Sequence, residues 1–476
     1  MLPAFGNPRD LEDVEAQLAQ SPDDIELLFR RACLLDLLGR SDDARDAYIV
    51  VIKRDAKHLG ALGNLGTLLY NAGYRSAARL TYGEALKHHP NDLHMLVNFG
   101  NALFENQQLV EARVVYEHAL EVNADYAPSH QGLSHVLERL GEREAAEEHR
   151  RLGFGAMPVS VKPFRAVGLP VSVLVLASVF RGNVPIDEPL DDRTFLAIRL
   201  FTDFYDPELP LPPHDVIFNG IGDPDCAMES LVAAERLLCV HGVTAINSPE
   251  LVRETGRVPM AARLRGIEGL VVPEIEEVGR DELDRIERFP VLVRAPGYHT
   301  GEFFERANDR DELARIAAKL PGERLLMIEM LDARGADGFA RKYRVLVIGG
   351  RLYPLHLARS SDWKVHYFSA DQRRTADAVA EEDAFLTDMR ATIGERATHA
   401  IEEAARRIGL EYFGIDFGLG RHGDALFFEA NATMRAVVPV AAERASGVRR
   451  EAARAANAAF RELVLRAAHR EDRLAD

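Results

Sequence analysis

Apolar residues in the first third of the chain return every three or four positions, the spacing of one helix face. A longer period lies over that spacing. Gly39, Gly73, Gln107 and Gly141 stand 34 residues apart, as do Ala44, Ala78, Ala112 and Ala146, and Tyr48, Tyr82 and Tyr116. Ala32, Gly66, Gly100 and Ser134 keep the same register with small residues. The stretches "ALGNLGTLLYNAGYRSAARLTYGEALKHHP" and "MLVNFGNALFENQQLVEARVVYEHALEVNA" each read as an apolar helix, a turn, a second helix with Ala and Tyr on one face, and a break. Small residues at fixed positions let two helices approach closely, and tyrosines and leucines fill the space between units. The pattern predicts a leading helix and about four helix pairs over residues 9–153. Prolines and glycines in "RLGFGAMPVSVKPFRAVGLP" then break the periodicity, so 154–169 reads as a linker.

From residue 170 the pattern changes to short apolar runs alternating with helical spacing. "VSVLVLAS" suits a buried strand, "DRTFLAIRLFTDFY" has helical spacing, and "HDVIFNGIGDPD" reads as a strand and a loop. "AMESLVAAERLLCVHG" reads as a helix ending at glycine, and "VTAINSP" as another short strand. This βαβα order predicts a small parallel sheet over 170–250. "RFPVLVRAPGYHTGEFFERANDRDELARIAAKL" predicts strand, loop, strand and helix, and "ERLLMIEMLD" a strand. "RKYRVLVIGGRLYPLHLARSS" reads as a hairpin around Gly349-Gly350, with Lys342 and Arg344 on one face. A helix is expected over roughly 380–408. "GIDFGLGRHGDALFFEANATMR" (414–435) reads as a second hairpin, with "GLGRHGD" as its turn. Glu429 and Asn431 are two apart, so both point to one face of their strand, and Phe428 and Ala430 are expected on the other, in the core.

Composition narrows the possibilities. At 476 residues the chain is too long for one core. Its 47% hydrophobic and 28% charged residues are those of a soluble globular protein, and no apolar run reaches membrane-spanning length. The net charge of −17 argues against a nucleic-acid partner. Cys33, Cys226 and Cys239 show no metal-ligand spacing, and the first residues do not read as a signal peptide, so a cytoplasmic location is expected. Only 7 of the 58 basic residues are lysine.

The first third resembles the tetratricopeptide repeat family, whose period is 34. That resemblance implies a groove for a peptide or protein, with Asn64 and Asn98 at equivalent positions on successive first helices. Residues 170–445 resemble the ATP-grasp family, most of all its carboxylate–amine ligases: glutathione synthetase, D-alanine–D-alanine ligase and the ribosomal-protein glutamate ligases. The expected architecture is therefore multidomain: an all-α tetratricopeptide-type solenoid (1–153), a linker (154–169), a small α/β parallel-sheet domain (170–250), an ATP-grasp α/β (α+β) domain (251–445), and a C-terminal helix and tail (446–476).

The resemblance implies roles for particular residues. Asp416, Glu429 and Asn431 match the positions that hold Mg²⁺, or Mn²⁺ in its place, against nucleotide phosphates. Two carboxylates and a carboxamide supply the hard oxygens that Mg²⁺ requires. Arg294 and Arg257 match phosphate-contacting positions usually held by lysine, and Arg257 reads equally as a surface charge at a helix end. Gly297, Thr300 and Gly301 match a flap over the phosphates. Glu329, Met330 and Leu331 match the hinge that reads adenine and ribose. Arg344 matches a basic residue near the γ-phosphate and the forming acyl phosphate, with Lys342 beside it or on a solvated face. In "LARSSDWKVHYFSAD", Arg359 and Lys364 are binding candidates, and His366 is more readily structural. Where many of these ligases continue Pro-Gly after the asparagine, this chain reads "ATMRAVVP", and Arg435 becomes a candidate for a substrate carboxylate. The implied activity is ATP-dependent amide formation between an acid and an amine (an amino acid or a peptide), releasing ADP and phosphate, with the repeats recruiting the substrate or its carrier. A kinase acting on a hydroxyl, or a nucleotide-sensing scaffold without catalysis, remain the alternatives.

Overall fold

The computed structural model describes residues 8–166, 168–298, 302–365, 375–437 and 446–469. The chain divides into two compact units, residues 1–173 with 191–213 and residues 174–190 with 214–476.

The first unit opens with α1 (Pro8–Gln20), followed by four helix pairs: α2 (Ile25–Leu37) with α3 (Ser41–Arg54), α4 (Leu59–Asn71) with α5 (Arg75–His88), α6 (Leu93–Glu105) with α7 (Leu109–Val122), and α8 (Ala127–Leu140) with α9 (Arg143–Ala156). Successive first helices start 34 residues apart, and so do successive second helices. This is the period of a tetratricopeptide-type array. Asp24 and Asp92 cap α2 and α6 by accepting from backbone N–H groups three residues on. The buried tyrosine rings explain the small-residue register: a Cβ at Gly66 would stand 2.4 Å from the Tyr82 ring, and one at Gly100 would stand 2.7 Å from the Tyr116 ring. Asn64 on α4 donates to the Tyr48 hydroxyl at 3.2 Å and to Cys33 Sγ at 3.5 Å, so this candidate for ligand contact is held against the preceding helix pair.

Two expectations change in this unit. The anticipated linker contains β1 (Val159–Lys162), and the segment read as helical contains β3 (Phe195–Phe201), which pairs with β1 antiparallel from Val159↔Leu200 to Lys162↔Ala197. "TFLAIRLF" is short and apolar, and over such a length helix and strand periods are hard to tell apart. Backbone pairing across the sheet decided it. β2 (Val171–Ala177) begins in this unit, where Val171 N–H donates to Thr194 O.

The second unit contains the end of β2, then β4 (Val216–Asn219) and α10 (Pro224–His241), which stops at Gly242 with φ +62°. Instead of the strand expected in "VTAINSP" there is a single bridge, Phe218↔Ile246. Asn247, fully buried with φ +61°, turns there, and its carboxamide is bonded both ways to the Tyr412 backbone at 2.6 and 2.8 Å. Next come α11 (Pro249–Arg253), α12 (Arg257–Leu264), β5 (Leu270–Val271), β6 (Ile275–Gly279), β7 (Val291–Arg294), β8 (Phe304–Ala307), α13 (Arg310–Ala317), β9 (Arg324–Glu329), β10 (Ala340–Ile348) and β11 (Arg351–Ser360). The chain continues through α14 (Ala376–Thr387), α15 (Met389–Ile408), β12 (Tyr412–Leu419), β13 (Ala425–Asn431) and α16 (Gly447–Ala467). The single helix expected over 380–408 is two, broken at Asp388, and the second kinks at Gly394 with φ +84°. Among the described residues, two sheets lie wholly in this unit, in the orders β6-β9-β7-β8 and β11-β10-β12-β13-β5.

Candidate functional site

The five-stranded sheet places four functional side chains in one transverse row. His356 on β11 pairs in register with Arg344 on β10, Arg344 with Asp416 on β12, and Asp416 with Glu429 on β13. Directly opposed residues of antiparallel strands project to one face, so all four emerge together. The glycine-rich turn sets this register: Gly420 N–H donates to Asp424 O at 2.8 Å, and Gly423 takes φ +79°. A β-bulge between Asp416 and Phe417 leaves Phe428 as the extra residue on its strand. The bulge overturns the expectation that Phe428 lies on the core face: it is half-buried and borders a cavity on the row's side of the sheet.

That cavity measures about 510 Å³ and lies wholly within the second unit. Its floor is His356, Arg344 and Glu429 of the row together with Lys342. Across from it stand Leu292 and Arg294 of β7, Phe304 of β8 and Ile328 of β9. Phe304 gathers three neighbours: Trp363 edge-on at 5.5 Å, the Arg294 guanidinium at 5.3 Å, and Lys364, whose ammonium donates to Phe304 O at 2.7 Å. The apolar surfaces of Leu292, Ile328, Phe304 and Phe427 suit a flat ring, while the charged residues cluster at the row.

The charges are closely matched. Asp416 is fully buried and accepts from Arg344 Nε and Nη2 at 2.6 and 2.7 Å, with Lys342 Nζ at 2.8 Å. Arg257, first residue of α12, reaches Glu429 Oε2 at 2.5 Å. Burial opposes ionisation of Asp416, but the Arg344 and Lys342 charges outweigh it and hold the carboxyl well below the usual range. Burial likewise opposes the charge on Glu429, and the Arg257 guanidinium brings it down to about 2. Both carboxylates are ionised at neutral pH. Burial, then the neighbouring Arg257 charge, pushes Arg294 down to about 10, so it stays a cation. Among the described residues, eight cationic side chains border the cavity (Arg257, Arg294, Arg334, Lys342, Arg344, Lys364, Arg435 and Arg449) against three carboxylates, Glu329, Asp332 and Glu429. A basic cavity in a chain of net charge −17 is a local specialisation.

Most residues singled out in the sequence meet here. Arg257, Arg294, Glu329, Met330, Leu331, Lys342, Arg344, Lys364, Glu429, Asn431 and Arg435 border the cavity, and Asp416 lies beneath Arg344 and Lys342. Asn431 Oδ1 accepts from the Thr433 N–H and hydroxyl at 3.0 and 2.8 Å. Arg359 does not reach the cavity. It pairs in register with Arg341, on the face opposite Lys342, and reaches Glu381 at 3.4 Å over the Phe339 ring. Strand parity accounts for this displacement. Gly297 also stands outside the lining: with φ +75°, it offers its carbonyl to Cys226 Sγ at 3.5 Å. Thr300, Gly301 and His366 lie outside the described residues.

Sequence reasoning missed His356, Phe304 and Arg449. The strand alternation Lys342, Arg344 and its pairing partner could have suggested His356, but nothing local marked Arg449.

No family model matches this sequence, and no curated protein matches it. Solved structures do show similarity over part of the chain. MamA from Desulfovibrio magneticus is 21% identical, covering 29% of this chain and 78% of its own, with a TM-score of 0.28. A tetratricopeptide repeat protein from Parabacteroides merdae is 20% identical over 31% of this chain and 59% of its own, with a TM-score of 0.29. YrrB, titled a TPR protein with an unusual peptide-binding site, is 17% identical over 32% and 77%, with a TM-score of 0.29.

Among the described residues no three His, Cys, Asp or Glu side chains gather as a metal cluster. What the row offers instead is two ionised carboxylates directly opposed, with a carboxamide two residues along from the second. These are hard oxygens of the kind Mg²⁺ takes, and here Arg344, Lys342, Arg257 and Thr433 already engage them, so an ion would have to displace those contacts.

Proposed function

We propose that this protein is an ATP-dependent carboxylate–amine ligase of ATP-grasp type, forming an amide through an acyl phosphate. The observation that carries the reading is the row Arg344–Asp416–Glu429, flanked by Lys342 and Arg257, on the floor of a cavity with apolar and aromatic walls. In this reading the purine lies between Leu292, Ile328 and Phe427, with Met330 and Leu331 at its edge. Glu329 accepts from the ribose hydroxyls. Arg294 and Arg257 answer the α- and β-phosphates.

Asp416, Glu429 and Asn431 would hold Mg²⁺, which when bound neutralises polyphosphate charge. Arg344 and Lys342 hold the γ-phosphoryl oxygens. Arg435 holds the acid with its carboxylate oxygen facing the γ-phosphorus. That oxygen forms a bond to phosphorus as the bond to the β-γ bridging oxygen breaks, giving acyl phosphate and ADP. The amine nitrogen then attacks the acyl carbon, loses a proton, and phosphate leaves. Phosphoryl transfer asks for positioning and charge neutralisation rather than a side-chain nucleophile, and the cation-rich floor supplies both. The repeat array would recruit the substrate or a protein that carries it.

The test is the nucleotide product. Incubating the full-length protein with ATP, Mg²⁺, a panel of acids and hydroxylamine should yield a hydroxamate and ADP. Stoichiometric AMP would reject an acyl phosphate, and a phosphorylated hydroxyl product would favour a kinase.

A further inference from the structure

Helix α10 is apolar on both sides. Its inward face is filled: Ala227, Leu231, Ala234, Leu237 and Leu238 are buried, and Ser230 Oγ donates to Ser178 Oγ at 2.7 Å. A helix on the surface of a single molecule normally turns polar residues outward. Here the outward face carries Met228, Val232 and Val240, which are 44, 47 and 44% exposed. Cys239, also exposed, extends the same face. These positions keep helical spacing, so they form one stripe along about 18 Å of helix.

Two charges lie within the stripe. Glu229 and Arg236 are exposed and seven residues apart, which puts them on one side of the helix, two turns from each other. Among the described residues neither has an ion-pair partner. Glu235 beside them differs, because Arg253 of α11 holds it at 2.6 Å. Val232 stands between Glu229 and Arg236, about one turn from each.

That arrangement is complementary to itself. A second copy of α10, laid antiparallel across a twofold axis beside Val232, sets the two valines together. Each Glu229 then meets Arg236 of the other copy, so two ion pairs flank an apolar centre. A parallel copy would oppose Glu229 with Glu229 and Arg236 with Arg236, and these repel. Twofold contacts use the same patch on both subunits, which is what a stripe symmetric about its own centre provides. Two chains of net charge −17 repel at a distance, so a contact between them needs opposite charges brought face to face.

We propose that the outward face of α10 is a dimer interface, packed antiparallel against α10 of a second copy of this chain. The contact does not depend on the ligase reading. One helix pair buries less than about 1,200 Å², the range of weak, reversible association, so monomer and dimer should exchange at micromolar concentrations.

The test is sedimentation velocity of the full-length protein from about 1 to 200 µM, a span chosen for an interface of that size. The mass should rise from one chain toward two. Glu229→Arg and Arg236→Glu should each weaken association by at least about ten-fold, because each sets like charges opposite one another. The double variant Glu229→Arg, Arg236→Glu restores the pairing with its signs exchanged, and should return the affinity to within about three-fold of the original. Val232→Asp places two carboxylates at the axis and should leave monomer alone. All three positions are exposed, so circular dichroism should be unchanged in every variant. A monomer at every concentration would overturn the proposal and leave the face to a different protein or to another part of this chain. A dimer that both single charge variants leave intact would place the interface elsewhere and overturn it too. Single variants that dissociate without recovery in the double variant would overturn the antiparallel pairing.

Discussion

Asp416 has no solvent exposure and two cations within 2.8 Å, so its charge is fixed by its surroundings. Burying ions costs several kcal/mol each, and such pairs commonly add nothing to stability. Breaking one side of the pair is another matter. Arg344→Met would leave Asp416 with Lys342 alone, and we expect a loss of about 3 kcal/mol in denaturant unfolding, near the low end for an orphaned buried charge. Arg344→Lys should be milder in stability, since the charge remains while the bidentate geometry is lost. For chemistry, Glu429 is the more informative position. Glu429→Gln keeps the shape and removes one charge opposite Asp416. ATP turnover should fall by at least about 100-fold in a protein with an unchanged circular dichroism spectrum, the scale seen when one preorganised electrostatic group is removed. Near-normal turnover in that folded variant would rule out the metal-binding role.

The repeat helices show how two effects of opposite sign are settled by size. Gly100 is interior to α6, where alanine normally gains about 1 kcal/mol in helix propensity. A Cβ there would stand 2.7 Å from the Tyr116 ring, which is 1% exposed and hemmed in. Overpacking a core costs about 1–3 kcal/mol, so Gly100→Ala should be destabilising on balance in chemical denaturation. A stabilised variant would mean that the ring moves. The α8/α9 pair carries a pH response of its own. His130 Nε2 lies 2.8 Å from Ala124 O, and its Nδ1 lies 2.7 Å from His149 Nδ1. If His130 donates from Nε2, its Nδ1 accepts from His149, and a proton on that Nδ1 would set two donors against each other. Burial depresses both His149 and His135, with the His130 charge adding to the effect at His149. The unfolded chain therefore binds more protons as pH falls below about 6.5, and stability drops in that direction. Thermal melts between pH 7.5 and 5.5 should move down steadily, and the double variant His135→Leu, His149→Gln should flatten the slope.

At the scale of the molecule, the boundary drawn from composition does not coincide with a structural one. Arg193 donates to the carbonyls of Asp36 at 2.9 Å and Leu37 at 3.1 Å, and Phe154 packs edge-on to Phe201 at 4.6 Å. Residues 191–213 thus belong with the helices. Deleting residues 1–153 removes the acceptors of Arg193 and most of α9. We expect the truncated chain to be poorly soluble, or to melt at least about 5 °C lower, an order set by the loss of several kcal/mol in a chain this size. A soluble product with an unchanged calorimetric transition would show that the helices are dispensable to the rest. The proposed recruitment by the array is then better probed by surface substitutions than by removal.

Local pattern determined a great deal. The 34-residue period set the helix pairs, because the same small-residue and tyrosine contacts recur in each unit and need no long-range information. Alternation in "RKYRVLVIGG" and "ALFFEAN" put Lys342 with Arg344, and Glu429 with Asn431, because side chains of a strand change face at every residue. Five things needed the tertiary structure. Sheet pairing made a strand of Phe195–Phe201, whose short apolar run is ambiguous by itself. A bulge turned Phe428 toward the cavity, and parity across β10 and β11 turned Arg359 away from it. Register brought His356 into line with residues up to 73 positions away, such as Glu429. The packing of α16 near β11 brought Arg449 to the border of the cavity. Spacing along a chain reports which face a side chain takes within its own element. Which elements then face one another is decided by how the whole sheet and its covering helices pack.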